Sequence, residues 1–145
     1  SEKKRESLYG LIVSQAIAYS IVEVSPEEID IMNILQATLY GMNKVADNLR
    51  DKFDKVLVDG NKLPNWDYNS EAIVKGDSKI KEISAASILA KVHRDRICLE
   101  HDKLYPEYGF AKHKGYPTKE HLENIGKYGV LDIHRKSYKP VREMF

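Results

Sequence analysis

Two aspartates, Asp59 and Asp77, are the residues of this 145-residue sequence best suited to metal chemistry. Each closes a short apolar run and lies next to a glycine, Gly60 in one case and Gly76 in the other. If the runs are neighbouring strands, which lie about 4.8 Å apart, their ends can bring both carboxylates to one point. Paired carboxylates favour Mg²⁺ or Mn²⁺ and indicate metal-assisted phosphodiester chemistry. Ordinary turn aspartates show the same spacing, so the residues alone leave both interpretations open.

A second group of residues could bind a polyanion. Lys112, His113 and Lys114 place three basic side chains beside Tyr116 in a predicted exposed loop, and residues 134–138 repeat the basic and aromatic pattern. A lysine can neutralise a phosphate while an aromatic ring stacks on a sugar or base, so the composition indicates nucleic acid. A solvated basic loop with packed aromatic residues has the same composition.

Charge is unevenly distributed along the chain. The whole sequence has 23 basic and 22 acidic residues, but residues 91–145 hold 12 Lys or Arg, 8 Asp or Glu and all five histidines. The C-terminal part is therefore the side expected to face a polyanion. The histidine spacing argues against a zinc site, and Cys98, as the only cysteine, excludes a cysteine-based cluster.

The elements that must position these residues alternate between helices and strands. The patterns predict a helix at the start of the chain, a strand over residues 18–24, a helix that Ser25 caps and that runs to about Asn48, strands over 55–59 and 72–77, a helix over 80–104, an irregular segment over 105–117, and a helix that Thr118 caps. This alternation predicts an α/β fold with helices covering a sheet.

Composition limits the class of protein. With 42% hydrophobic and 31% charged residues, the sequence is typical of a soluble globular chain. No apolar run approaches the roughly 18 residues of a membrane span, and the charged residues 1–6 do not resemble a signal peptide. We expect no membrane partner and a cytoplasmic location, which the single cysteine also favours. Cys98 falls within the second long helix, where a buried thiol is expected.

Four segments, taken in their order along the chain, carry a more specific pattern. They are Val-Leu-Val-Asp-Gly-Asn at 56–61, Val-Lys-Gly-Asp-Ser at 74–78, Ile-Ser-Ala-Ala-Ser-Ile-Leu-Ala-Lys-Val at 83–92, and Tyr-Gly-Phe-Ala-Lys-His-Lys-Gly-Tyr at 108–116. Together they resemble the bacterial ribonuclease HII family, the type 2 ribonucleases H. The resemblance continues through residues 26–30 and 33–38 to residues 134–138, so it covers essentially the whole chain.

The resemblance implies a ribonuclease H-like fold and an endonuclease that uses two ions, Mg²⁺ or Mn²⁺. Its substrates would be RNA/DNA hybrids and single ribonucleotides embedded in duplex DNA, and its products 3′-hydroxyl and 5′-phosphate ends. Asp59 and Asp77 match two of four metal ligands, and Tyr116 matches a tyrosine that packs against the sugar at the ribonucleotide junction. Further residues expected to support the site or contact nucleic acid are Lys91, Ser87, Asn33, Lys112, Lys114, His134 and Arg135. The resemblance also implies a monomer when full length.

The sequence departs from the family pattern in one respect. The motif Gly-Val-Asp-Glu-Ala-Gly-Arg-Gly, which supplies the family's first two ligands on its first strand, is not present. We therefore expect a partial domain over residues 1–145 that lacks its first strands and includes a helical substrate-binding part at about 105–145. Because two aspartates cannot balance two divalent ions, we expect these residues alone to be inactive. The alternatives are a non-catalytic nucleic-acid-binding remnant or another metal-dependent nuclease of similar fold.

Overall fold

The computed structural model of this chain describes residues 2–144. Its elements in chain order are α1 (Glu2–Gln15), α2 (Pro26–Met32), α3 (Ile34–Asn48), β1 (Val56–Asp59), β2 (Ser70–Ile73), α4 (Gly76–Lys79), α5 (Lys81–Leu104), a 3₁₀ turn (Pro106–Tyr108), α6 (Phe110–His113), α7 (Lys119–Tyr128) and α8 (Lys139–Arg142). They form two compact units. The first contains the described residues up to Glu23 together with Thr38–Val92, and the second contains Val24–Ala37 together with the residues from His93 onward.

A parallel pair of strands lies in the first unit. β1 and β2 pair in a register that sets Val56 opposite Ser70 and Asp59 opposite Ile73. The apolar run that predicted β1 is confirmed, and Val58 is its buried residue. In a parallel pair the C-terminal ends of both strands lie at the same edge, so the chain that leaves β2 starts beside Asp59.

The second strand ends earlier than the sequence predicts. We expected it over residues 72–77, but β2 ends at Ile73 and Asp77 lies in the short helix α4. The reason is local, because Lys75 adopts the left-handed conformation with φ of 55° and so cannot continue an extended strand. The prediction that Asp77 is the last residue of a strand is therefore wrong.

The strand predicted over residues 18–24 is also wrong. Within residues 2–144 the strands are β1 and β2, and residues 18–24 are in neither. Alternating β-branched residues fit a half-buried strand, but a strand also needs a neighbour that accepts and donates its backbone hydrogen bonds. Ile17, just before this segment, is instead 94% exposed.

The helix predicted to run from Ser25 to about Asn48 is interrupted. Its start is confirmed, because Ser25 and Glu28 form a reciprocal capping box. At Asn33 the backbone takes a positive φ of 75° and α2 ends. The Asn33 side-chain oxygen then accepts a hydrogen bond from the N–H of Gln36 at 3.0 Å, which caps the start of α3. Asparagine tolerates the left-handed region and caps helices, so it divides the segment.

The core of the second unit is built by α5, the 3₁₀ turn and the elements after it. Its buried residues are Cys98, Tyr108, Phe110, Ile125 and Val141. The long helix predicted over 80–104 is confirmed as α5, and the Thr118 cap is confirmed by a bond from the N–H of His121 to the Thr118 hydroxyl. Burial raises the pKa of the Cys98 thiol, which fits its predicted role in packing. No helix within residues 2–144 has the length and apolar character needed to cross a membrane.

Candidate active site and nucleic-acid interface

The carboxylate of Asp59 is bonded to the segment that carries Asp77. Asp59 is the last residue of β1, and its Oδ1 accepts a hydrogen bond from the N–H of Gly76 at 2.8 Å. Asp77 is the next residue along the chain, and both aspartates are exposed. A Cβ added at Gly76 would lie 3.5 Å from Asp59 Oδ1 and 2.6 Å from Ile83 Cδ1, so glycine permits this close approach.

These aspartates supply part of a ligand set for a divalent ion. Carboxylate oxygens are the ligands that Mg²⁺ and Mn²⁺ prefer, and the bond from Gly76 orients the Asp59 carboxylate as an outer-shell partner does. Across residues 2–144, however, no group of three or more His, Cys, Asp or Glu side chains converges as a metal site would require. The donor chemistry therefore fits the ion, while the number of donors in the described residues falls short of a complete site.

Ser87 and Lys91 lie on α5, the helix that follows α4 along the chain. They are separated by four residues and therefore lie on the same face of the helix, with Ser87 half-buried and Lys91 exposed. Ile83, Leu89 and Val92 form the buried side of this part of α5. An exposed lysine on the polar face of a helix can contact a phosphate, so the geometry is compatible with the role predicted for Lys91.

Tyr116 is the exposed aromatic residue of the predicted basic loop. The residue is 57% exposed, and the guanidinium carbon of Arg94 lies 4.7 Å from the ring centre. Arg94 also donates from Nε to the carbonyl of Lys114 at 3.3 Å. The exposed Lys112 forms an ion pair with Glu120 at 3.1 Å. The loop therefore presents an aromatic ring with a cation on one of its faces.

The basic loop is less exposed than the sequence predicts. Residues 110–113 form α6, and His113 is only 5% exposed. Its Nδ1 accepts a hydrogen bond from the N–H of Gly115 at 3.0 Å, and its Nε2 lies 2.7 Å from the carbonyl oxygen of Tyr108. The prediction that residues 112–117 form an exposed loop is therefore wrong for His113, because both ring nitrogens find partners inside the unit.

Three histidines form a buried cluster that the sequence did not reveal. The rings of His113 and His121 are stacked, with centroids 3.9 Å apart and planes 8° from parallel. Nε2 of His121 lies 2.9 Å from Nε2 of His134, and Nδ1 of His121 lies 2.9 Å from the carbonyl oxygen of Tyr116. We name His113, His121 and His134 the histidine cluster.

Burial favours the neutral form of His121 and His134, two of the three residues in the histidine cluster. Loss of solvent, together with the neighbouring histidines His121, His113 and His101, lowers the pKa of His134 from 6.5 to about 4. Burial also lowers the pKa of His121. Neutral imidazole has one donor and one acceptor nitrogen, so each ring can take part in a directed chain of hydrogen bonds.

His134 and Arg135 lie in different environments although they are adjacent. His134 is 7% exposed and its Nδ1 accepts a bond from the N–H of Leu131 at 3.0 Å, which does not fit the predicted contact with a phosphate. The guanidinium of the half-buried Arg135 stacks on the ring of Tyr138 at 4.7 Å. Of this pair, Arg135 is the residue whose surroundings are compatible with phosphate binding.

Comparison with known proteins identifies the family. The sequence model described as ribonuclease HII matches residues 1–141. This chain belongs to the ribonuclease HII family. It is 80% identical over 142 residues to the ribonuclease HII of Francisella philomiragia subsp. philomiragia, which covers 98% of this chain and 77% of that protein. The ribonuclease HII of Francisella tularensis subsp. tularensis is also 80% identical, with 98% and 76% covered. The match therefore spans about three quarters of these relatives.

A solved structure supports the same assignment. The crystal structure of the ribonuclease H2 from Pyrococcus horikoshii superimposes with a TM-score of 0.81 at 26% sequence identity, over 99% of this chain and 76% of that chain. The predicted resemblance, the ribonuclease H-like α/β fold and membership of a ribonuclease family are confirmed.

The histidine cluster of this ribonuclease HII family member could not be predicted from the sequence, for a physical reason. The three residues are separated by 8 and 13 positions, which is neither a helical nor a metal-ligand spacing. One partial signal was available, since the Thr118 cap holds the backbone N–H of His121 in the first turn of α7. That cap fixes the position of the His121 backbone, but it does not determine which rings the His121 side chain contacts.

Proposed function

We propose that this chain serves in cleavage of the RNA strand of RNA/DNA hybrids and of single ribonucleotides embedded in duplex DNA. The observation that carries the proposal is the hydrogen bond from Gly76 N–H to Asp59 Oδ1, because it joins the end of β1 to the segment of Asp77. Ribonuclease HII relatives at 80% identity support the reaction class. The free cysteine Cys98 is consistent with a reducing compartment, and we propose that this compartment is the cytoplasm.

Asp59 and Asp77 would hold Mg²⁺ or Mn²⁺. When bound, such ions supply the Lewis-acid chemistry of phosphodiester hydrolysis, for which we propose 3′-hydroxyl and 5′-phosphate products. The chain's own contribution at this point is orientation. The N–H of Gly76 fixes one oxygen of Asp59, and the buried Ile83 side chain lies where a larger residue at position 76 would need space.

Tyr116 would contact the sugar at the junction between ribonucleotide and deoxyribonucleotide. Its 57% exposure and the Arg94 cation against its ring support a surface aromatic residue held ready for stacking. Exposed or half-buried basic side chains at Lys91, Lys112, Lys114 and Arg135 would neutralise phosphates. Ser87 and Asn33 would support the site, as the resemblance implies; the side chain of Asn33 also caps the start of α3. We propose that one copy of the chain acts on each duplex.

We propose that these 145 residues do not turn over substrate by themselves. Within residues 2–144, the acidic side chains nowhere assemble in a group of three that could hold a metal ion. Two metals need more carboxylate charge than Asp59 and Asp77 provide. The proposal concerns catalysis only, because Tyr116 and the basic residues need no metal to bind nucleic acid.

The proposal is tested by cleavage of a DNA duplex that carries one ribonucleotide, in the presence of Mg²⁺. The first sample is the 145-residue chain, and the second is a chimaera that adds the part of the Francisella philomiragia enzyme outside the matched region. We expect cleavage by the chimaera alone. One product should end in a 3′-hydroxyl and the other should begin with a 5′-phosphate, and gel electrophoresis with mass spectrometry identifies both ends. An all-DNA duplex of the same sequence is the control and should stay intact.

A substitution then tests the metal ligand. In the chimaera, Asp59→Asn should abolish turnover and leave binding of the hybrid within about twofold, because the amide is similar in size but is a weaker ligand for a hard cation. Loss of binding as the main defect would contradict the metal role of Asp59.

The second candidate function is nucleic-acid binding without hydrolysis. The incomplete ligand set within residues 2–144 favours it. If both the chain and the chimaera bind the ribonucleotide-containing duplex but neither cleaves it with Mg²⁺ or Mn²⁺, the binding function is supported and the nuclease proposal fails.

A further inference from the structure

We infer that His113, His121 and His134 are positioning residues that hold the backbone around Tyr116 in the conformation that presents its ring to nucleic acid. The inference rests on the proposed function for the role of Tyr116, and it extends that function to three buried residues. It is carried by the direction of the hydrogen bonds that join the cluster to the loop.

The first chain of bonds has only one consistent direction. The N–H of Leu131 donates to Nδ1 of His134 at 3.0 Å, so the proton of neutral His134 is on Nε2. That Nε2–H donates to Nε2 of His121 at 2.9 Å, which must therefore be an acceptor. The proton of His121 is then on Nδ1, where it donates to the carbonyl of Tyr116 at 2.9 Å. Both ends of this series of hydrogen bonds, the N–H donor of Leu131 and the carbonyl acceptor of Tyr116, require the same proton positions.

The second set of bonds reaches the loop through His113. The N–H of Gly115 donates to Nδ1 of His113 at 3.0 Å, so Nε2 carries the proton and donates to the carbonyl of Tyr108 at 2.7 Å. Gly115 has a positive φ of 81°, which the bond to His113 helps to fix. The backbone is thus held on the N-terminal side of Tyr116 by His113 and on its C-terminal side by His121.

The backbone groups of Tyr116 itself are also bonded. Its N–H donates to the carbonyl of His113 at 3.0 Å, and its carbonyl accepts from the N–H of Thr118 at 2.8 Å in addition to His121. Although its backbone is bonded in this way, Tyr116 as a residue is 57% exposed. A fixed backbone beneath an exposed ring lowers the entropy lost when that ring stacks on a sugar, which is how preorganisation raises affinity.

A purely structural role would also explain a buried cluster, so the test must separate stability from position. Two substitutions at one site do this. His121→Asn keeps an amide donor at the place of Nδ1, beside the Tyr116 carbonyl, and removes the link to His134. His121→Gln moves the amide to the place of Nε2, beside His134, and removes the donor to Tyr116. Both lose the same stacked ring, so both should lower thermal stability to a similar extent.

The readouts are amide hydrogen exchange and binding, measured on the whole 145-residue chain. We expect exchange at Tyr116 and Thr118 to be faster in His121→Gln than in His121→Asn. We also expect the affinity ratio between a duplex with one ribonucleotide and an all-DNA duplex to fall about fivefold in His121→Gln, the effect of one lost hydrogen bond, and to stay within about twofold of wild type in His121→Asn. Ring ¹⁵N spectra of the wild type should show the Nδ1–H form of His121 and the Nε2–H forms of His113 and His134.

The outcomes separate the inference from the proposed function. Equal exchange and equal affinity ratios in the two variants would overturn the inference, as would the Nε2–H form of His121 in the wild type. If the wild-type chain binds both duplexes equally, the proposed role of Tyr116 fails, and amide exchange alone then decides whether the cluster positions the loop.

Discussion

The guanidinium carbon of Arg94 lies 4.7 Å from the centre of the Tyr116 ring, and Nε of the same Arg94 donates to the carbonyl of Lys114 at 3.3 Å. One side chain of α5 therefore restrains both the ring and the backbone of the loop. A cation against an aromatic face at an exposed site contributes about 0.5–1 kcal/mol, so the contact is strong enough to bias the ring position without locking it.

Replacing Arg94 should weaken recognition of the ribonucleotide junction. For Arg94→Ala we expect the affinity ratio between a duplex with one ribonucleotide and an all-DNA duplex to fall about twofold to fivefold, because about 0.5–1 kcal/mol of ring orientation is lost. Arg94→Lys keeps the cation but not the planar contact, so its affinity ratio should lie between those of wild type and Arg94→Ala. Fluorescence anisotropy with labelled duplexes measures the ratio.

A matched control is available at Lys127, whose ammonium lies 5.1 Å from the centre of the Tyr128 ring. Lys127→Ala removes the same kind of contact from a different ring and should leave the affinity ratio unchanged. If Arg94→Ala lowers binding of both duplexes equally, Arg94 contributes only general phosphate attraction and the argument for ring orientation is incorrect.

Acid should destabilise the chain through His134 and His121. The pKa of His134 is lowered by burial to about 4 and that of His121 is also lowered, whereas an unfolded histidine titrates near 6.5. Between pH 6.5 and about 4 the unfolded chain therefore binds more protons, so the free energy of unfolding falls as pH falls through this window. We expect a loss on the order of 2 kcal/mol from His134, measured by urea denaturation at pH 7.0, 5.5 and 4.5.

His134→Gln provides the test of that assignment. The variant should be less stable than wild type at pH 7. Because glutamine does not titrate, the variant's free energy of unfolding should fall less steeply on acidification. The difference in slope should be about 1.36 kcal/mol per pH unit, the value for one proton. The same pH slope in the variant and in wild type would show that other groups cause the acid sensitivity.

The apolar strand β1, the long helix α5 and the starts of α2 and α7 could be predicted because their causes are local. The run at 55–59 is continuous and apolar, and the caps at Ser25 and Thr118 need only neighbours three residues away. Where the prediction failed, the decisive contact or conformation was not in the pattern. A positive φ at Lys75 ended β2 early, and one at Asn33 divided a helix that periodicity alone would continue.

In the candidate site, too, local features could be predicted from the sequence and contacts between distant residues could not. Asp59 could be placed at a strand end from its apolar run, and Tyr116 could be placed in a basic segment, because both follow from nearby residues. The partners that orient them could not be predicted, since Gly76 is 17 residues from Asp59 and Arg94 is 22 residues from Tyr116. Burial of His113 and His134 likewise depends on rings that meet only after the second unit has folded.

Asp30 should contribute to the stability of the second unit. Its Oδ1 accepts from the N–H and hydroxyl of Ser137 at 2.9 and 2.6 Å, and its Oδ2 accepts from the N–H of Lys136 at 3.1 Å. Partial burial opposes the charge, but the bonds from Ser137 and Lys136 dominate and lower the pKa of Asp30 below 3.8. We expect Asp30→Ala to lower the free energy of unfolding by about 1 kcal/mol at pH 7, measured with urea.

The pH window distinguishes Asp30 from His121 and His134, because all three lose stability on acidification but Asp30 does so only below about pH 4. A lowered carboxyl pKa adds stability above the unfolded value and loses it as pH falls through the folded value, so the difference between wild type and Asp30→Ala should shrink below about pH 4. Glu27→Gln, an exposed change on the same helix, is the control and should cost no more than about 0.5 kcal/mol. A difference that is unchanged at pH 3 would exclude the ionised carboxylate as the source.

Gly76→Ala should disturb the Asp59 side of the candidate site. The added Cβ would lie 2.6 Å from Cδ1 of the buried Ile83, so Ile83 or the turn must move, at a cost of about 1–2 kcal/mol. Because Gly76 N–H orients Asp59, movement of the turn should also lower cleavage by the chimaera more than it lowers hybrid binding. Gly126→Ala in α7 is the control, since nothing lies within 4 Å of its added Cβ, and it should raise stability by about 0.4–1 kcal/mol. Equal stability of Gly76→Ala and wild type, with full cleavage, would mean that close packing at Gly76 does not position Asp59.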